Sequence, residues 1–524
     1  MKKLKTKAWQ QYEAGLKYKQ KIGLFETIRQ NERFYRGNQW YGSEGAELPK
    51  PVFNIIRRIV DYLICSVLPG SVSLSFTDEN LPFVRDPGSA AVIRRAVEVL
   101  SKNASYRWER AKMDYKLYSL LYDAAISGDG VFYCWWDPVA DSGQEFTGDI
   151  VTELVDNVNL FVADVNRADI QSQEYIILSG RESVASLREQ ARKNRVPEEA
   201  VARIVPDDET KNQSGDMAEY ELHADDEGER KATCIIKFWR EDGFVVFEKS
   251  TEEVVIRRQK TNMTLYPVAY MNWYPTKNSF HGTSPITGLI PNQKFINRAF
   301  AMVMKHMTDT AFSKVVYDKS RIPEWSNEVG QAIAVLGGTN VADAVSVVGV
   351  GKLQEGYLEL IGLAVNMTKE LMGATETALG EGEAVNTSAI LALQEAARIP
   401  LDQVRRSLCR CIEDLANIWV DMICAYYPDE RLLPYMEEGT ERAERISLSR
   451  LKGALLRARV DVGEFARYGA SGAMSILNKL LECGHITAGQ YIERLPPGLI
   501  ADRALLLEEL KATKNAGREE AANE

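Results

Sequence analysis

Apolar residues recur through the first 125 positions at the three- and four-residue spacings of amphipathic helices. Trp9, Tyr12, Leu16, Ile22, Phe25, Ile28 and Phe34 predict a helix over residues 8–35, ended by turn chemistry at Gly37-Asn38. A second helix is expected from Ile55 to Val67, stopped by Pro69-Gly70, with further helices over Ser89–Lys102 and Trp108–Ile126. Ser127-Gly128-Asp129-Gly130 then turns the chain into strand texture at Val131–Trp136. Short β-rich runs follow at Ile150–Val155, Tyr175–Leu178, Ala232–Trp239, Phe244–Glu248, Glu253–Arg258 and Val268–Trp273, interrupted by a helix at Val184–Lys193.

Beyond residue 280 the period changes again. A helix opened by Pro285 or Pro291 runs to about Phe312, residues 313–351 read as short strands and turns, and a second rod covers about 353–372. The stretch Gly373–Thr387, GATETALGEGEAVNT, is an acidic, Gly-rich loop between two helical segments, a length that is uncommon in a compact domain without a function. After it, Ala397, Leu401, Val404, Leu408, Ile412, Leu415, Trp419 and Met422 predict a helix packed along its whole length to Tyr427, kinked near Glu395–Ala396 by Pro400. One strand-like run (Leu455–Val462) precedes short helices between Ala470 and Lys511, separated by Gly484 and Pro496-Pro497.

Composition narrows the function classes. The 524 residues are 45% hydrophobic and 26% charged, as in an ordinary globular protein. The net charge of −10 argues against gripping nucleic acid over a broad basic surface, but not against letting it slide past. Seven scattered cysteines without a CxxC pair read as reduced, packed thiols. The basic N-terminus lacks a following apolar run, so no signal peptide is expected, and no apolar run reaches the ~18 residues of a membrane span.

Enzymatic signatures are absent where an enzyme should show them. The four histidines lie far apart, Gly349-Val350-Gly351-Lys352 lacks the spacing and hydroxyl of a phosphate-binding loop, and there is no GxSxG. Glu376, Glu381 and Glu383 sit on a Gly-rich loop, whereas two-metal chemistry needs carboxylates held on rigid elements. No catalytic residue, cofactor or metal is therefore expected.

The order of segments is the distinctive signal: helical start, β-rich body, helix, small insert, helix, acidic loop, long kinked helix, helical end. Four stretches go with it: Glu32–Trp40, Gly128-Asp129-Gly130, Tyr274-Pro275 through Gly282-Thr283-Ser284-Pro285 to Asn292-Gln293, and Asn386–Ile390. In that order and spacing the chain resembles the portal (head-to-tail connector) proteins of tailed bacteriophages and related viruses.

The resemblance implies an α+β portal fold with long central stem helices, a β-rich wing, a small α/β clip and a helical C-terminal crown. On it, residues 1–283 correspond to the wing, 284–312 and 352–372 to the stem helices, 313–351 to the clip, 373–387 to the channel loop, 388–468 to the long kinked helix and return to the wing, and 469–524 to the crown and a disordered tail. It implies a ring, usually of twelve subunits, at one capsid vertex of the virion, assembled in the host cytoplasm. Double-stranded DNA would pass through the channel, and the terminase large subunit, head-tail adaptors, capsid and scaffolding proteins would be partners, with no membrane.

Channel-loop residues would be Gly373, Glu376, Gly380, Glu381, Gly382 and Glu383, and a ring would multiply their negative charge into a lining that repels phosphates. Lys294, Arg298 and Lys305 share roughly one face of the first stem helix and are candidates for contact with DNA. Lys314, Lys319, Arg321 and Trp325 are candidate clip contacts. Two other classes remain open on sequence alone: a DNA-processing enzyme such as a nuclease or packaging-motor subunit, and a ring scaffold unconnected with DNA.

Overall fold

The computed structural model describes residues 5–42, 48–70, 72–207, 214–215, 229–311, 314–326, 328, 332–338, 340–348, 356–374, 399–437, 440–446, 451, 456–462, 469–495 and 506. It is a mixed helix-and-sheet protein, as the periodicities predict. The first apolar run is two helices, not one: α1 (Lys7–Lys21) and α2 (Leu24–Arg36). Gly23 lies between them at φ 68°, a left-handed conformation that only glycine adopts freely, so the chain bends where the apolar face falls out of phase. Helix α3 (Ile55–Val67) begins where Asn54 Oδ1 accepts from Arg57 N at 3.1 Å and ends before Pro69.

Strand β1 (Val72–Asp78) leads to α4 (Pro87–Arg110), capped by Asp86 Oδ2 accepting from Ser89 N at 2.8 Å. That helix outruns its expected end at 102 and takes in Trp108, so α5 starts later, at Met113, and runs to Ser127. The boundary is Lys112, held at φ 52°.

A three-stranded antiparallel sheet of order β3-β2-β9 joins β2 (Asp129–Asp141), β3 (Thr147–Leu154) and β9 (Val268–Asn272). Beside it stands a five-stranded meander of β4 (Leu160–Val162), β5 (Tyr175–Ser183), β6 (Lys231–Glu241), β7 (Phe244–Ser250) and β8 (Val255–Lys260). Between β5 and β6 lie α6 (Val184–Lys193) and α7 (Glu198–Val201), which bury Val184, Leu187, Ala191 and Val201 with Ile256 in a satellite core.

Two long rods follow: α8 (Pro285–Thr310) and α9 (Gly356–Leu371). Between them β10 (Lys314–Tyr317) pairs antiparallel with β11 (Val345–Val348). The small α/β insert expected at 313–351 holds, among its described residues, this strand pair and a 3-10 turn at Val341–Ala344, with no α-helix. Consecutive valines favour the pleat, and Gly337 and Gly338 at φ 68° and 92° break any helix there.

A 3-10 turn at Ile399–Leu401, which includes Pro400, opens α10 (Asp402–Tyr426). The expected kink near 395 lies outside the described residues. From Leu401 onward the predicted stripe is buried at every position named, and Trp419 Nε1 donates to Thr152 Oγ1 at 2.9 Å, tying α10 to the three-stranded sheet. After it come β12 (Leu432–Glu437), β13 (Thr440–Arg445) and β14 (Leu456–Val462), then α11 (Gly469–Glu482) and α12 (Ala488–Arg494), the last with a Thr487/Gln490 capping box. Strand β14 pairs with β1 from Val72↔Val462 to Asp78↔Leu456, closing the two halves of the chain onto each other.

Candidate functional site: the rods and their footing

Helix α8 is launched from a fixed point. Ser284 Oγ accepts from Ile286 N at 3.1 Å as N-cap and donates to Ala125 O at 2.5 Å, while Pro285 fills the first turn, where no N–H is needed. Of the two prolines expected to start this helix, Pro285 does so, and Pro291 lies inside it.

Behind the cap, Asp129 is fully buried and takes four donors. Its Oδ1 accepts from Gly282 N at 2.7 Å and Asn272 Nδ2 at 2.9 Å, and its Oδ2 accepts from Asn157 Nδ2 at 3.2 Å and lies 2.7 Å from His281 Nδ1. A buried carboxylate is tolerable only when its lone pairs are filled in this way. Close by, Lys19 is buried too. Its Nζ donates to the carbonyls of Asn157, Val158 and Leu160 at 2.8, 2.8 and 2.6 Å and sits 3.9 Å from the Phe161 ring centroid. Burial pushes its pKa down to about 7, against the pull of Asp156 and Asp129.

A second set of contacts fixes the next two turns. Gln293 Oε1 accepts from Ile55 N and Ile56 N at 3.1 and 3.3 Å, satisfying the start of α3, and its Nε2 donates to Phe53 O and Asn297 Oδ1, both at 2.8 Å. Asn297 Nδ2 in turn donates to Gln39 Oε1 at 2.6 Å. Three of the stretches singled out in the sequence thus meet at the base of one helix: Glu32–Trp40, the Gly128–Gly130 turn, and the run from Tyr274 to Gln293. The fourth, Asn386–Ile390, lies outside the described residues.

The two rods pack on each other through a small core of Ala299, Val303 and Ile361, with Phe300 and Val365 against it, and Asn292 Nδ2 donates to Thr368 Oγ1 at 3.2 Å. Their other faces are apolar and bare. Tyr357, Leu360, Leu363, Met367 and Leu371 form one stripe along α9, with Leu371 73% exposed, and α8 leaves Phe295, Met302, Met304 and Met307 exposed. Helix spacing alone should bury such residues against something.

Lys294, Arg298 and Lys305 lie within an arc of about 40° on α8, taking ~100° per residue. Lys294 and Arg298 are exposed and line a cleft of about 280 Å³ with Gln30, Arg33, Asn38 and Trp40, in which Glu26 is the sole carboxylate among the lining residues. Lys305 lies beyond it, 3.5 Å from Asp309. Arg33 falls in the stretch Glu32–Trp40 singled out in the sequence, but its place in this cleft, with the guanidinium 3.5 Å from the Tyr41 ring centroid, was not foreseen, because no local signal links residues 33 and 294.

In the insert, Arg321 is committed to its own loop, donating from Nη2 to Gly337 O at 3.0 Å and Asn340 O at 2.9 Å. Trp325 stacks on Tyr317 with ring centroids 5.3 Å apart, and Lys319 is exposed. Lys314 is the first residue of β10. Helix α9 ends in a tight turn, with Gly373 N donating to Glu370 O at 2.9 Å and Gly373 at φ 72°. Glu376, Gly380, Glu381, Gly382 and Glu383 lie outside the described residues. The described residues hold no group of three or more His, Cys, Asp or Glu able to bind a metal ion, and no helix among them is long and apolar enough to cross a membrane.

Two footed rods with exposed apolar faces, joined through a strand pair, thus stand on a helix-and-sheet body. Residues 188–447, from within α6 to just past β13, match the family model of the phage P22-like portal protein, so this stretch, just under half of the chain, carries a portal-protein domain. Among solved structures the chain is similar to one described as "Neck of empty GTA particle computed with C6 symmetry", at 12% identity and a TM-score of 0.36, over 84% of this chain and 90% of that one. No curated protein matches the chain.

Proposed function

We propose that this protein is the subunit of a closed homo-oligomeric ring, of about twelve copies as the family resemblance implies, at one capsid vertex. Double-stranded DNA passes through its channel during packaging and ejection. The observation that carries the reading is the bare apolar stripe of α9 together with the exposed methionines of α8. A lone subunit would leave it in water at ~25 cal/mol per Å², whereas a ring covers it with the same rods of the next copy.

In this reading residues 1–283 form the wing, α8 and α9 the stem, 313–351 the clip, 373–387 the channel loop, 388–468 the long helix and its return to the wing, and 469–524 the crown. The clip is the docking platform for the terminase large subunit and later for head-tail adaptors. Its exposed Val316, Leu336, Val341 and Val347 offer the apolar part of such a contact, and Lys319 the charged rim. Lys294 and Arg298 supply modest attraction for phosphates at the stem, against a loop whose glutamates repel them. No turnover is assigned to the chain.

Electron microscopy of the purified protein, with its mass in solution, tests the reading. A ring with an axial hole wide enough for a duplex is expected. A monomer or dimer at all concentrations would overturn it, and a ring that supports capsid assembly but not genome filling would leave only a scaffold.

A further inference from the structure

Away from the rods, a cavity of about 230 Å³ opens where four separate parts of the chain meet. Its walls come from the end of α4, the start of α5, the β2–β3 hairpin and the segment joining α10 to β12. Four cations line it, Arg107, Arg110, Lys116 and Arg431, against the single carboxylate Asp149. That carboxylate is already occupied: its Oδ1 accepts from Arg107 Nη1 at 3.0 Å, Tyr427 Oη at 2.6 Å and Ile150 N at 2.8 Å. Burial works against its charge, but Arg107 and these hydrogen bonds hold its pKa below the usual range.

Of the remaining cations, Arg431 also lies 3.8 Å from Asp149 (Nη2 to Oδ1), which leaves Arg110 and Lys116 without a carboxylate partner among the described residues. Arg431 is buried, donates from Nη1 to Gly148 O at 2.7 Å and lies 3.8 Å from the Tyr427 ring centroid. Lys116 Nζ donates to Thr152 O at 2.8 Å, which leaves two of its three protons. Arg110 is exposed and makes no hydrogen bond or ion pair among the described residues.

A second observation is independent of charge. Two polar atoms of lining residues are buried without a partner: Arg107 Nε, a donor, and Asn103 Oδ1, an acceptor on a side chain only 2% exposed. An orphaned buried polar atom costs about 1–3 kcal/mol, so this wall is polar and under-satisfied.

We propose that this cavity binds a phosphate dianion, free or as the headgroup of a small monoester. Its oxygens accept from Arg110, Lys116 and Arg431, beside the unsatisfied Arg107 Nε and Asn103 Oδ1 in the wall. Guanidinium forks match tetrahedral oxyanions, and a charge excess of this size suits two negative charges better than one. The walls admit a small anion but not a duplex. The bound group clips α4, the hairpin and the start of β12 together, and since no lining residue belongs to α8 or α9, the site stands apart from ring closure.

Calorimetric titration of the full-length protein tests this, with inorganic phosphate and glycerol 3-phosphate as probes and chloride at matched ionic strength as control. Saturable phosphate binding is expected, weakened at least about tenfold in the Arg110→Gln/Lys116→Gln variant. Both residues reach solvent, so that variant should melt like the parent without ligand; if it does not, Arg110→Gln alone gives the same readout. Binding of phosphate with the monoester rejected assigns the site to the free ion, and binding of both assigns it to a monoester. Heat no greater than that of chloride, or equal binding by the variant, overturns the proposal.

Discussion

Asp129 Oδ1 accepts the backbone N–H of Gly282 at 2.7 Å, although 153 residues separate them. The bond stands where two backbones nearly touch: a Cβ built on Gly282 would meet Gly128 O at 2.7 Å and Asn272 Cβ at 2.8 Å. Gly282→Ala must therefore push β2 and the launch of α8 apart, at a cost of about 2–4 kcal/mol. Asp129→Asn replaces one acceptor with an NH₂ facing donors, and the cost is about 2–4 kcal/mol. Urea midpoints of the two variants measure both losses; midpoints within ~0.5 kcal/mol of the parent would show that this junction does not hold the rod.

Lys19 gives a pH signature. Its folded pKa, pushed down to about 7 by burial, lies below the ordinary 10.5 of an unfolded lysine. Between those values the unfolded chain binds more protons, so this group makes stability rise with pH by up to ~1.4 kcal/mol per unit across pH 7 to 10.5. Other groups titrate in the same window, so the quantity to measure is the difference between the parent and Lys19→Met. Denaturation midpoints from pH 7 to 9.5 should climb more steeply for the parent. Parallel profiles would mean that the three carbonyls around Nζ keep the ammonium charged.

These two residues also show where sequence reading stops. Helices Ile55–Val67 and Val184–Lys193 were legible to the residue, because caps and apolar spacing are local. Strand β1 was not, since its partner β14 lies some 380 positions away and neither strand carries a turn signal toward the other. Strand β13, Thr-Glu-Arg-Ala-Glu-Arg, is mostly exposed and lacks the alternating apolar pattern of a half-buried strand; Arg95 reaching Glu444 at 2.6 Å shows what its polar face is for. The turn at Gly128–Gly130 and the run to Gln293 were visible as separate stretches. That they share one carboxylate follows from tertiary packing, which no spacing encodes. The phosphate-sized cavity was invisible for the same reason: Asn103, Asp149 and Arg431 come from three distant parts of the chain.

The stripe on α9 makes a prediction about assembly. Leu363→Glu with Met367→Glu puts two charges into a face that the proposed ring buries, while both positions are more than half exposed in one subunit. The fold of the subunit should survive, with a far-ultraviolet spectrum like that of the parent. Burying an unpaired charge is prohibitive on the scale of an interface, so rings should be lost or require at least about tenfold more protein. Sedimentation at several concentrations reads this directly. Intact rings in the variant would place the contact between copies elsewhere.

The acidic loop after Gly373 carries the last prediction. Glu376→Lys, Glu381→Lys and Glu383→Lys together change the charge of this stretch by +6 per subunit, which the proposed ring of about twelve would multiply around its channel. Against a duplex carrying one negative charge per ~1.7 Å, the lining would turn from repelling to gripping. Helix α9 already ends at the Gly373 turn, so the rods and their contact should be untouched and rings should form as before. Genome filling should fall, and more steeply at low salt than at high, because gripping by lysines is screened by ions while a steric defect is not. Packaging assays over a salt series separate these outcomes. Normal filling by the triple variant would remove the loop from the channel.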